Sequence, residues 1–158
     1  VGCLSAPSWC AGHVPNSLRN FNYIVFNEDT RDGYSVDPFD HELVIEKAKE
    51  NNVNLVAVIN THYHFDHIKS NKELSHSLNI PILENDCDAF KLGDQELRII
   101  KTPGHTSDHV VFIGSGKKEK FIIAGDTIFN AGVGNCKNGG DPEVLFETIS
   151  MLDNLLDD

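Results

Sequence analysis

The sequence predicts a mixed α/β domain in which helices flank β layers. Three observations predict it. Short β-rich runs open the chain and then alternate with helical segments. The run LVAVIN, residues 55–60, is apolar almost throughout, as expected of a strand covered on both faces. Segments 41–52 and 142–155 repeat apolar residues at three-and-four spacing, the mark of helices with one buried face. Two β layers between helices satisfy this order, and so does one mixed sheet with helices on both faces.

Residues 1–20 mix Gly, Pro, Ser, Cys and Trp without a period and read as an irregular N-terminal arm, with the folded domain running over 21–158. NYIVFN, residues 22–27, is short and β-rich and reads as a strand. NEDTRDG follows as a turn, with Asp32-Gly33 as the hairpin signal. YSVDP is the second strand, stopped by Pro38. The helix over 41–52 has Leu43, Val44, Lys47 and Ala48 at helical spacing, and Asp40 is placed to cap it. After the strand at 55–60 comes a histidine-rich loop, then a helix over 68–78 and a short strand, IPILEN, at 80–85. ELRIIKTP, HVVFIG and KFIIAG read as three strands separated by turns. The last helix, 142–155, has Asp141 as its cap and Pro142 in its first turn.

The chain has 158 residues, one domain's worth, with 40% apolar and 23% charged residues, which argues against a disordered or membrane chain. The longest apolar runs are far short of a membrane span. The net charge is -11, which gives no positive field for a phosphate backbone or an anionic lipid surface. No basic start followed by an apolar stretch is visible, although the first residue is Val1 rather than Met. Cys3, Cys10, Cys87 and Cys136 form no Cys-x-x-Cys pair, and we read them as free thiols of a reducing, cytoplasmic compartment.

The dominant chemical signal is Thr61-His62-Tyr63-His64-Phe65-Asp66-His67, directly after the buried strand. In an extended or turning loop, His62 and His64 point to the same side and share one cation. Asp66 and His67 lie further along and supply a second. Imidazole and carboxylate donors suit Zn, Fe or Mn, with Zn the first candidate. His105 projects from a turn set by Pro103 and Gly104, and beside the first cluster it becomes the natural third imidazole. Asp126 follows the apolar strand FIIA, where a carboxylate is costly without compensation, and its two oxygens suit it to bridge two cations. Asp37, at another strand end, is expected to accept a hydrogen bond from a ligand imidazole or its loop. His109 opens a strand and reads as a packing or hydrogen-bonding histidine, and His13, His41 and His76 lie outside the ligand loops. Site one then has His62, His64, His105 and Asp126, whereas site two has Asp66, His67 and Asp126 and is one ligand poorer.

THYHFDH matches the HxHxDH signature of the metallo-β-lactamase superfamily. The set SVDPFD, INTHYHFDH, TPGHTSDH and GDTIFNAGVGN resembles the glyoxalase II group, the hydroxyacylglutathione hydrolases, from about Asn22 onward. The resemblance implies an αββα sandwich with a dinuclear centre on one edge of the two sheets. It places first-site histidines on His62, His64 and His105, the second-site pair on Asp66 and His67, and the bridge on Asp126. The family's last second-site histidine follows the helix matched by 142–155, so the resemblance implies a C-terminally incomplete domain that lacks this ligand and the helical substrate domain.

The implied reaction is hydrolysis of a thioester such as S-lactoylglutathione, with Asp126 and Asp66 in catalytic roles and Tyr63 helping to offset charge on the carbonyl oxygen. The family commonly carries a basic residue and an aromatic after a Gly-x-Gly to hold glutathione. Here Asn135 and Lys137 stand at those places, as candidate substrate residues. A related branch binds one iron and oxidises persulfides, and GDTIFNAG favours the hydrolase over it. Asp126 argues against lactamase types that use cysteine there, and the acidic charge against RNA-processing members. A non-catalytic fragment acting in binding or regulation is the reading outside enzymology.

Overall fold

The computed structural model describes residues 12–13, 21–115 and 120–156. Strands β1 (Gly12–His13), β2 (Phe21–Phe26), β3 (Asp32–Val36) and β4 (Asn54–Ile59) form one four-stranded sheet in that order. Strands β5 (Ala89–Leu92), β6 (Gln95–Lys101), β7 (Val110–Ser115) and β8 (Lys120–Ile123) form a second. Helices α1 (His41–Glu50), α2 (Phe65–Ile68) and α3 (Asn71–Leu78) belong to the first half, and α4 (Pro142–Leu156) to the second. Of the two arrangements the sequence left open, the structure takes the double layer, an αββα sandwich. The short β1 falls inside the segment read as an irregular arm, and the rest of residues 1–20 lies outside the described residues.

Three apolar layers hold the sandwich together. Val25, Tyr34, Val36, Ala57 and Ile59 of the first sheet face Leu97, Ile99, Val110, Phe112 and Ile123 of the second. Ile24, Phe26, Leu55 and Val58 turn the other way and meet Val44 and Ala48 of α1 and Leu74 of α3. Leu152 of α4 packs on Val111 and Ile113. A strand sends alternate residues to opposite faces, so one strand serves two layers. Leu55 and Ala57 nonetheless face opposite layers. The β3–β4 register shifts between Gly33 and Tyr34, which pair with Leu55 and Ala57, and the extra residue reverses the face.

The strands and helices read from sequence form, with four differences. Asp32-Gly33 is not the hairpin turn, because both residues lie in β3. The turn comes earlier, where Asn27 Oδ1 accepts the N–H groups of Asp29 (2.9 Å) and Thr30 (3.1 Å) and Arg31 takes a φ of 63°. The helix read over 68–78 starts later, as α3 at Asn71, and the end of the histidine-rich loop forms the separate short helix α2. Ser70 is pulled out of the helical path, its N–H bound to Pro38 O (3.0 Å) and its Oγ to Phe39 O (2.8 Å). IPILEN makes only one bridge, Val58 with Ile82, since Pro81 has no N–H for a ladder. Finally, β5 went unread, because its Ala and Lys carry little β signal. Asp40 does cap α1 through Leu43 N–H (3.1 Å), and Asp141 accepts the N–H of Glu143 (2.8 Å) at the start of α4.

Sheet topology decides where chemistry sits. β3 and β4 are parallel, so both C-terminal ends lie on one edge. β6 and β8 each run antiparallel to β7 and so share a direction. Asp37, Asn60–His67, Thr102–His109 and Gly125-Asp126 follow these four ends, and the contacts described next show that they meet.

Candidate metal centre

The three predicted first-site imidazoles converge. His62 Nε2 lies 3.1 Å from His64 Nδ1, and His105 Nε2 lies 3.0 Å from the same atom. Three ring nitrogens this close need a shared proton or a cation between them. Nitrogens around a tetrahedral zinc stand about 3.3 Å apart when each bond is about 2.0–2.1 Å. Beside them, His62, His67 and Asp126 form a second group whose ligand atoms lie within 4.8 Å of one another. Asp126 divides its carboxylate, with Oδ2 3.5 Å from His105 Nε2 and Oδ1 3.4 Å from His67 Nε2. Asp66 Oδ2 is 3.7 Å from His67 Nε2.

Hydrogen-bond roles settle which nitrogen of each ring is free to donate a lone pair. His105 Nδ1 meets the carbonyl of Asn135 at 2.6 Å, and a carbonyl only accepts, so Nδ1 carries the proton and Nε2 does not. His64 Nε2 meets the carbonyl of Asn138 at 3.4 Å, which leaves Nδ1 free by the same logic. His67 Nδ1 donates to Asp37 Oδ2 at 2.9 Å. Thr61 Oγ1 donates to Asp37 Oδ2 at 2.7 Å and therefore accepts from His62 Nδ1 at 3.0 Å. All four rings thus turn lone pairs toward the gap, the arrangement that ligand histidines need. His67 Nε2 is buried with no hydrogen-bond partner among the described residues, an orphan that a cation would satisfy. The site fits one or two divalent cations.

Asp37 is the hub of this frame. Its Oδ1 also accepts the Thr61 N–H at 2.8 Å, and it sits at a φ of 52°, a left-handed conformation that costs an L-residue roughly 1–2 kcal/mol. Asn60 Nδ2 reaches the His67 carbonyl at 2.9 Å, while its Oδ1 accepts from Asn71 at 2.7 Å, tying the loop to α3. On the other side, Thr148 of α4 donates to Pro103 O at 2.6 Å and braces the His105 turn. Gly134 lets the chain cross over His105, since a Cβ there would stand 2.6 Å from His105 Nδ1 and 2.1 Å from Asp126 O.

The electrostatics follow the crowding. Burial pushes His62 down, and the neighbouring imidazoles push it further. His105 is also lowered by burial, against the pull of Asp126. Burial disfavours charge on His67 as well, but Asp126 and Asp37 override it and raise it to about 10. Burial raises Asp126, yet His67 and His105 hold it below the usual carboxylate range. His109, expected from sequence as a packing or hydrogen-bonding histidine, is lowered to about 4 by burial.

A cavity of about 1210 Å³ opens over the centre. His64, Asp66, His67, His105, Asp126 and Asn135 line it, and Phe21, Tyr23, Phe65, Ile122, Ile128 and Phe129 form its apolar walls. No local pattern announces these walls, because the residues lie far apart along the chain. Two candidate substrate residues are placed elsewhere. Tyr63 is turned outward with its hydroxyl on Glu84, which together with burial raises it to about 12. Lys137 is exposed and outside the lining, and its N–H is held by Asn135 Oδ1 at 3.0 Å.

A double sheet between helices with a His/Asp centre at its strand ends defines a metal-dependent, hydrolase-like site. Residues 33–86 match the profile of the Metallo-beta-lactamase superfamily. The chain belongs to that superfamily. It is 32% identical to the hydroxyacylglutathione hydrolase of Nitrosococcus oceani, over 86% of this chain and 57% of that protein. It is 33% identical to the hydroxyacylglutathione hydrolase of Vibrio cholerae, over 88% and 58%. It therefore spans rather more than half the length of these relatives. Among solved structures, the B3 metallo-β-lactamase BLEG-1 superposes with a TM-score of 0.78 at 21% identity, covering 89% of this chain and 83% of that one. TTHA1623, solved in a di-iron-bound form, gives 0.72 at 21% identity, covering 89% and 84%. These two show the shared fold.

Proposed function

We propose that this chain carries the metal centre of a thioester hydrolase that cleaves an S-acylated thiol of the S-lactoylglutathione type. The observation that carries the reading is Asp126, whose two oxygens face the His105 and His67 sides separately. The similarity to hydroxyacylglutathione hydrolases supports the thioester and glutathione part. His62, His64 and His105 would hold one cation, Asp66 and His67 a second, and Asp126 both. Zinc suits these donors first, and iron or manganese fit them too. A divalent cation held there acidifies water and polarises a carbonyl oxygen.

The chain's own groups do the rest. The four oriented imidazoles keep their lone pairs on the cavity side, with Asp37 holding His67, Thr61 holding His62, and the Asn135 and Asn138 carbonyls holding His105 and His64. Asp66 lines the cavity beside His67 and, as a ligand of the second cation, would orient the attacking water, whose proton passes to solvent. Water adds to the thioester carbonyl, the C–S bond breaks, and the thiolate leaves without an acid. The apolar walls suit the hydrocarbon part of an acyl group. Two free thiols, Cys87 and Cys136, go with a reducing, cytoplasmic compartment.

The test is metal analysis of the purified chain together with thiol release from S-lactoylglutathione and from longer acyl thioesters. Bound divalent metal and turnover, both lost in Asp126→Ala, support the reading. One iron with oxygen uptake on a persulfide would replace it with the dioxygenase reading. Neither metal nor turnover would leave a binding or regulatory domain.

A further inference from the structure

We propose that His109 is a positioning residue that aims the Asp126 carboxylate between the two clusters, by accepting the Asp126 backbone N–H on a ring nitrogen kept free of a proton by Thr102 and Thr127. The inference rests on the metal-centre reading above.

Asp126 N–H donates to His109 Nε2 at 3.2 Å, and a backbone N–H has no other role, so Nε2 must present a lone pair. The proton then sits on Nδ1, which faces Thr102 Oγ1 at 3.0 Å and Thr127 Oγ1 at 3.0 Å. Thr127 Oγ1 donates onward to Thr102 Oγ1 at 3.3 Å, so one hydroxyl lies in the path of the other and both can accept from the ring. His109, Thr102 and Thr127 are all fully or nearly fully buried, away from the protein surface. The ring itself is fixed by stacking on His62, with centroids 4.7 Å apart and planes at 24°.

The turn that carries Asp126 has no slack against this ring. Gly125 takes a φ of +49°, and a Cβ there would stand 2.6 Å from Thr61 Oγ1 and 2.9 Å from His109 Nε2. The turn is therefore pressed between the loop bearing the first histidines and the ring of His109. Thr127 N–H binds Ala124 O (3.0 Å) and Gly134 N–H binds Asp126 O (2.9 Å), and the bond to His109 completes the set that fixes its rotation, which decides whether the two carboxylate oxygens reach His105 and His67 together. A histidine that served packing alone would need no acceptor at this atom.

The test compares His109→Gln, whose amide oxygen can replace Nε2 as acceptor, with His109→Met, which fills the space and accepts nothing comparable. Cobalt(II) is titrated into the metal-stripped chain, read by its visible absorption, and thermal melting reports folding. Wild type is expected to take two ions. His109→Met should bind the second ion about 10–100-fold more weakly and leave the first nearly unchanged, whereas His109→Gln should retain both. If His109→Met does not fold, Thr102→Val with Thr127→Val removes the acceptors for Nδ1–H, frees the ring to adopt the other tautomer and should give the same selective loss. Two ions bound by His109→Met with wild-type affinity would overturn the inference, as would equal losses in the Gln and Met variants. Failure of the wild type to bind cobalt would instead overturn the metal-centre reading beneath it.

Discussion

Replacing Asp37 by Asn keeps the shape and removes the charge at the hub of the site. Oδ2 accepts from Thr61 Oγ1 (2.7 Å) and His67 Nδ1 (2.9 Å), and Oδ1 accepts from the Thr61 N–H (2.8 Å). Every one of these partners donates in the native arrangement. An amide has one oxygen, so its NH2 group must face a donor in either orientation. At least one hydrogen bond to a charged acceptor is lost, each worth about 1.5–3 kcal/mol. With the NH2 at Oδ2, His67 must also move its proton to Nε2, the atom needed for the cation. The expected destabilisation is about 2–4 kcal/mol in the metal-stripped chain, read by urea unfolding. The affinity for the cation beside His67 should fall about 10–100-fold, read by competition with a chromophoric chelator. Unchanged unfolding together with unchanged metal affinity would refute the hydrogen-bond roles assigned here.

Three further outcomes are expected. Leu152→Ala empties a fully buried site between α4 and the second sheet and should cost about 2–5 kcal/mol by urea unfolding. Tyr63→Phe removes only the outward contact with Glu84, so thioester turnover should stay within a factor of about two of wild type. Protons compete with the cation for the lone pair of His67, which Asp126 and Asp37 raise to about 10, so affinity for the cation beside His67 should rise with pH up to about pH 10 in equilibrium dialysis, whereas the lowered His62 and His105 compete only at acid pH. A pH-independent affinity would exclude histidine ligation.

The candidate cluster was legible because chemistry and chain order coincide. His62, His64, Asp66 and His67 are nearly contiguous, and Asp126 stands out at the end of an apolar strand. The alternation that puts His62 and His64 on one side also sends Tyr63 to the other, which is where the structure places it. The acceptors that orient the rings were harder to read. The carbonyls of Asn135 and Asn138 do this work, and every residue has a carbonyl. Thr61 was nearer to hand, a hydroxyl directly before the first histidine, in the loop to which Asp37 was expected to bind. Strand and helix order narrowed the fold to a double layer or one mixed sheet, and the family resemblance pointed to the sandwich. The break between α2 and α3 was not legible, because Ser70 is held by residues 38 and 39, a tertiary contact no local pattern contains.

Anomalous diffraction from crystals of the metal-loaded chain, collected at the absorption edge of the bound metal, bears most directly on the centre itself. The peak should lie within bonding distance, about 2 Å, of His62 Nε2, His64 Nδ1 and His105 Nε2, with a second beside His67 and Asp126. A map in which those nitrogens bind water alone, with the metal elsewhere or absent, would contradict it.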